Sequence, residues 1–114
     1  MEYKNNLIVA TTGKLEVIAL QTLVRIEATN NYSRLYLADG KTILVAKVLK
    51  RFEEQLDHGY FIRTHKTHLV NLQFIQSCSG AKQKSLMLTN GDCVAISRSK
   101  QSIVHKRLLT LQAV

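Results

Sequence analysis

Two stretches, YSRLYLADGKTILVA (32–46) and SLMLTNGDCVAIS (85–97), set an Asp-Gly and an Asn-Gly turn between runs rich in apolar residues. Such dipeptides supply the positive φ that tight hairpin turns need, and alternation at a period of two gives a strand one buried and one wetter face. Each stretch is therefore expected to be an antiparallel hairpin. LIVA (7–10), KLEVIAL (14–20) and LVRIEA (23–28) are further strand-like runs, separated only by TTG and QT. Links this short cannot hold crossover helices, so the sheets should be antiparallel.

Two segments carry helical spacing instead. In KVLKRFEEQLD (47–57), Val48, Leu49, Phe52 and Leu56 form one apolar stripe. Its charges oppose the helix dipole, basic first and acidic last, so packing must hold it. A second helix is expected over 99–112, capped by Ser97 or Ser99, with Ile103, Val104, Leu108 and Leu111 as its stripe. Proline is absent, and no linker or fixed-period repeat divides the 114 residues, so residues 1–114 are read as a single domain.

Charge is uneven along the chain. Residues 1–57 hold eight Lys/Arg and seven Asp/Glu, whereas residues 58–114 hold eight Lys/Arg and one acid, Asp92. All four histidines fall in the second half. That imbalance, with a pI near 9.8, favours a polyanionic partner, nucleic acid before membrane. No apolar run is long enough to span a membrane, and the N-terminus shows no export signal, which points to the cytoplasm. Two cysteines do not make a disulfide framework.

The most polar interruption of an apolar run is FIRTHKTHLVNL (61–72). His65 and His68 would share a face only on a helix, and the surrounding residues favour strands. With no CxxC or HExxH spacing to complete a set, no metal or other cofactor is expected. One histidine reads as a hydrogen-bonded prop, the other as exposed. No paired carboxylates, nucleophile elbow or phosphate loop points to an enzyme. A cysteine–histidine dyad around Cys93 stays open, with nothing in its favour.

Polar residues do gather at strand ends, in ATNNYSR (28–34), RTHKTH (63–68) and SRSK (97–100). Arg98 and Lys66 have the donors for a guanine edge, Asn30 or Asn31 suits adenine, and Ser33, Thr67 and Ser99 suit phosphate oxygens. Each cluster alone is ordinary loop chemistry; three on one small β domain with a basic half are harder to dismiss and put duplex DNA level with that ordinary reading. The rival reading is an RNA- or protein-interaction module using the same loops. Only Tyr32 is placed to stack a base, which disfavours RNA.

IEATNNYSRLYLADGK, LKRFEEQL, FIRTHKTHLVNLQFI and LTNGDCVAISRSK together resemble the LytTR DNA-binding domain of bacterial response regulators, most strongly over residues 7–105. The resemblance implies a mainly β fold, elongated, of small antiparallel sheets with one or two short α-helices. It implies a transcriptional regulator of a two-component system, without enzymatic activity, whose loops enter successive major grooves. Carried onto this chain, Ser33, Lys66 and Arg98 would contact bases, Ser33 directly or through water. Asn31, Arg34, Thr67, Ser99 and Gln101 would contact the DNA backbone, and Lys100 joins them on charge. Arg63, His65, Val70 and Asn71 would be scaffold. Cys93 falls where some members carry a redox-active cysteine, but the usual partner position holds Thr64. The expected partners are double-stranded DNA with repeated half-sites, a second copy on DNA, and an upstream receiver domain or sensor kinase if the chain belongs to a longer protein; otherwise it is a stand-alone regulator.

Overall fold

A computed structural model describes residues 5–56, 59–79 and 84–111. Among these, ten strands and two α-helices follow in the order β1 (Asn6–Thr11), β2 (Lys14–Ala19), β3 (Leu23–Thr29), β4 (Tyr32–Leu37), β5 (Thr42–Val45), α1 (Leu49–Gln55), β6 (Phe61–His65), β7 (His68–Asn71), β8 (Ile75–Ser79), β9 (Ser85–Leu88), β10 (Cys93–Ala95) and α2 (Gln101–Thr110). Single 3₁₀ turns cover Leu20–Thr22, Leu72–Phe74 and Arg98–Lys100. Every strand pair is antiparallel, as expected. The pairs make a β1–β2 hairpin, a five-stranded sheet ordered β5-β4-β3-β7-β6, and a three-stranded sheet ordered β10-β9-β8. The molecule measures 45 × 34 × 25 Å along its principal axes.

The two expected turns are built alike. Gly40 and Gly91 have φ of 91° and 94°, and each donates its N–H to the last residue of the preceding strand, Leu37 and Leu88. Asp39 and Asn90 each accept the amide two residues on through a side-chain oxygen. A β-carbon at either glycine would find open space, so it is φ that selects glycine there.

The five-stranded sheet is buried on both faces at its centre. One core gathers Leu23, Ile26, Leu35, Phe61 and Leu69 with Leu7, Val9 and Ile18 of the β1–β2 hairpin and Leu49, Phe52 and Leu56 of the α1 segment. The other gathers Val24, Ile62 and Val70 with Leu86, Leu88 and Val94 of the small sheet and Val104 of α2. Leu23 and Ile26 face the same core although three residues apart. An irregularity between Leu23 and Arg25 in the pairing with β4 accounts for the broken parity. The β1–β2 hairpin also turns apolar residues outward, with Ile8 opposite Val17 and Leu15 opposite Ala10.

α1 lacks a side-chain cap and has no acid in its first turn, so Leu49 and Phe52 hold it; Val48, expected on the stripe, is exposed. The second expected helix is divided into the Arg98–Lys100 turn and α2. Ser97 precedes the turn without capping it, and its hydroxyl lies 3.4 Å from that of Ser99. Val104 is buried in the second core and Leu108 packs against it, while Ile103 and Leu111 are exposed. Residue 112, the end of the expected helix, and Asp57, the end of the first, lie outside the described residues.

Candidate nucleic-acid interface

The three polar clusters meet at one end of the five-stranded sheet. Asn30 and Asn31 make the turn between β3 and β4, with Asn30 at φ 57°, a conformation asparagine tolerates. Lys66 and Thr67 make the turn between β6 and β7. The Ala28 amide donates to the Thr67 carbonyl at 2.9 Å, which joins the two turns. The segment after β10 is attached from the other side, where the Ser97 amide donates to the Thr64 carbonyl at 2.8 Å.

Arg63 shapes the Lys66 turn. Its Nε donates to the His65 carbonyl at 2.9 Å, Nη2 to the Lys66 carbonyl at 2.7 Å, and Nη1 to Glu53 Oε1 at 2.6 Å. Only a guanidinium has donors in that fan. His65 completes the turn, its Nδ1 accepting the Thr67 amide at 3.2 Å and lying 2.9 Å from the Thr67 hydroxyl. With its carbonyl bonded to Arg63, Lys66 is left exposed at the tip. Arg98, Ser99 and Asn31 are also exposed; Arg34, Thr67, Lys100 and Gln101 are half-buried.

Ser33 departs from expectation. It is fully buried, and its hydroxyl donates to the Lys47 carbonyl at 2.7 Å. Alternation explains why, since Ser33 shares the inward face of β4 with Leu35, whereas Arg34 points to the other face. In this arrangement Ser33 ties β4 to the segment before α1. Asn71 also differs in place. Its amide donates to the carbonyls of Leu20 and Leu23 and its oxygen accepts the Gln73 amide, at the end of β7 away from the Lys66 turn. It is scaffold for the far end of the sheet, where it lines a cleft of about 720 Å³ with Gln21, Tyr60 and Gln73.

Behind the turns, Arg34, Glu27, His68 and His65 run in register across the sheet. His68 is not the exposed histidine expected of the pair. Burial pushes its pKa down, aided by Arg25 and His65 and opposed by Glu27. Its Nδ1 lies 3.8 Å from Glu27 Oε1, too far for a hydrogen bond. A neutral imidazole follows at pH 7. No group of three or more His, Cys, Asp or Glu among the described residues could hold a metal ion. Arg25, one row further from the turns, has a buried guanidinium bonded to Glu27 at 2.7 Å and Asp92 at 2.9 Å and stacked on Tyr36 at 3.7 Å. Burial works to lower its pKa, and the hydrogen bonds to Glu27 and Asp92 more than reverse that. Cys93 is exposed and outside any disulfide, and β9 separates its strand from that of Cys78.

The profile of the LytTr DNA-binding domain matches residues 13–109. The chain belongs to the LytTR family. A solved LytTr DNA-binding domain, from a protein of Bacillus cereus described as a methyl-accepting/DNA response regulator, is similar to it in fold. The TM-score is 0.77 at 24% identity, over 91% of this chain and 96% of that one. A search of curated proteins finds no match. The LytTR domain is a DNA-binding domain, and the observed small antiparallel sheets with two helices are the fold implied by the sequence resemblance. No helix among the described residues is long and apolar enough to cross a membrane.

Proposed function

We propose that this LytTR domain reads duplex DNA sequence-specifically as the output domain of a bacterial transcriptional regulator, without catalytic activity. The observation that carries this reading is the convergence of three exposed polar segments on one end of the sheet, with Lys66 and Arg98 on backbones fixed by hydrogen bonds. The polar loops enter successive major grooves, and Lys66 and Arg98 contact base edges. Asn31, Arg34, Thr67, Ser99, Lys100 and Gln101 contact the DNA backbone, and Arg63 and His65 hold the turn. Ser33 acts from behind, as a positioning residue. Repeated half-sites occupied by two copies, and control by a receiver domain or sensor kinase in the cytoplasm, complete the reading.

Selection of bound duplexes from a random pool tests it. Lys66→Ala and Arg98→Ala should each cost about 1–3 kcal/mol on the selected site and relax preference at one base pair. Arg34→Ala or Lys100→Ala should weaken all duplexes alike and flatten the salt dependence. Failure to enrich any sequence would sink the proposal.

A further inference from the structure

We infer that Thr64 locks the Lys66 turn and the Arg98 segment at a fixed separation, and so sets how strictly this domain measures the distance between the bases it reads. The inference rests on the DNA-reading assignment above.

Thr64 is fully buried in a strand that ends in an exposed turn. The pairing of β6 with β7 joins Arg63 to Leu69 and then His65 to His68, which leaves Thr64 without a partner across the hairpin. Such an irregularity re-aims a residue away from its own ladder. Here the hydroxyl and the carbonyl of Thr64 both go to the segment that leads into Arg98. Its Oγ1 donates to the Ala95 carbonyl at 3.1 Å, and its carbonyl accepts the Ser97 amide at 2.8 Å. The residue between, Ile96, is buried in the second core, and its amide donates to the Lys84 carbonyl.

Lys66 lies on the five-stranded sheet, while Arg98 follows the three-stranded one, so their spacing depends on how the two sheets are joined. Thr64 shortens the path between them. Two residues run from Thr64 to Lys66, and one runs from Ser97 to Arg98. Those three steps span roughly 10 Å of chain at most. The apolar contacts of the second core hold the layers together without fixing register along the strands, because they have no direction. Two directional bonds from one residue supply it. An inserted base pair moves the second group of bases about 3.4 Å along the duplex axis and turns it by about a tenth of a helical turn. Readers that cannot shift lose one set of contacts on such a site, and readers with slack keep both.

The experiment compares the selected duplex with one carrying a single base pair inserted between the two positions whose preference Lys66→Ala and Arg98→Ala relax. Affinity is measured at fixed salt for wild type, Thr64→Val, Thr64→Ser and Ser97→Pro. Valine removes the hydroxyl at nearly the same volume, and serine restores it. Proline removes the Ser97 amide at a residue whose φ of −68° already suits it. Wild type and Thr64→Ser should lose about 10- to 100-fold on the inserted site, the value of one set of base contacts. Thr64→Val and Ser97→Pro, shown by melting to be folded, should lose several-fold less. A folded Thr64→Val or Ser97→Pro with the wild-type insertion penalty overturns the inference and leaves the DNA-reading assignment standing. Wild type without a preferred duplex overturns both.

Discussion

Replacing Arg63 by lysine separates charge from geometry at the Lys66 turn. The guanidinium makes three hydrogen bonds, to Glu53 and to the carbonyls of His65 and Lys66, and its side chain is 18% exposed. A lysine keeps the positive charge near Glu53 but cannot direct donors to both carbonyls from one nitrogen. The Glu53 pair is half-open to solvent and contributes little, so its retention or loss is a minor part of the balance. Two charge-assisted bonds to carbonyls would be worth more if the carbonyls stayed dry. The Lys66 carbonyl lies in an exposed turn where water replaces the lost donor, which puts the total near 1–2 kcal/mol. For a domain of this size the melting temperature should fall by about 5–15 °C. The same change frees the turn that presents Lys66. Affinity for the selected duplex should therefore drop about tenfold, while binding to random duplex, which depends on charge, stays close to wild type. Denaturant unfolding and salt-matched binding on the two duplexes measure both effects. An Arg63→Lys variant that melts with wild type and discriminates equally well would refute the idea that the guanidinium fan shapes the turn.

Ser33→Ala should cost about 1 kcal/mol of stability by leaving the Lys47 carbonyl without its donor, and should leave base preference unchanged. A shifted preference at one base pair would restore Ser33 as a reading group. Asp92→Asn should destabilise by about 1–2 kcal/mol, since Arg25 then keeps only Glu27 as an ionic partner. Burial acts to raise the Asp92 pKa, but its hydrogen bonds from Arg25 and Asn90 leave it below the usual carboxylate value. Its contribution is therefore complete above about pH 4, the unfolded carboxylate value, and fades as pH falls through the lower folded one. Urea unfolding across that range should show the asparagine variant approaching wild type in acid.

Local chemistry made the hairpins legible in the sequence. Asp-Gly and Asn-Gly fix both the turn and the register, and seven of the strands were expected from alternation beside short links. β8 was not, because IQSCS has no apolar alternation and becomes a strand only by pairing with β9. The burial of Ser33 was legible from its parity with Leu35; the resemblance to DNA-reading relatives pointed the other way. The role of Arg63 as scaffold was expected, but its three acceptors were not, since two are backbone carbonyls that only the folded turn presents. Thr64 carried no signal as a link between sheets. Its hydroxyl and carbonyl meet Ala95, at the end of β10, and Ser97 because of a pairing irregularity that a regular period of two cannot forecast.

The β1–β2 hairpin is apolar on both sides, which removes the usual reason for one face to be inside. Leu7, Val9 and Ile18 are buried, yet turning the hairpin over would bury Ile8, Ala10, Leu15 and Val17 instead. Transfer free energy hardly distinguishes these orientations. The observed one is selected by the fit of Leu7, Val9 and Ile18 into the core with Phe52 and Ile43, and by the 3.2 Å ion pair between Glu16 and Lys41. Strand register rests on the two-residue turn at Thr12 and Gly13, whose φ of 78° holds Thr11 opposite Lys14. The hairpin's orientation is thus decided by shape and one polar contact, and its alignment by a single left-handed residue.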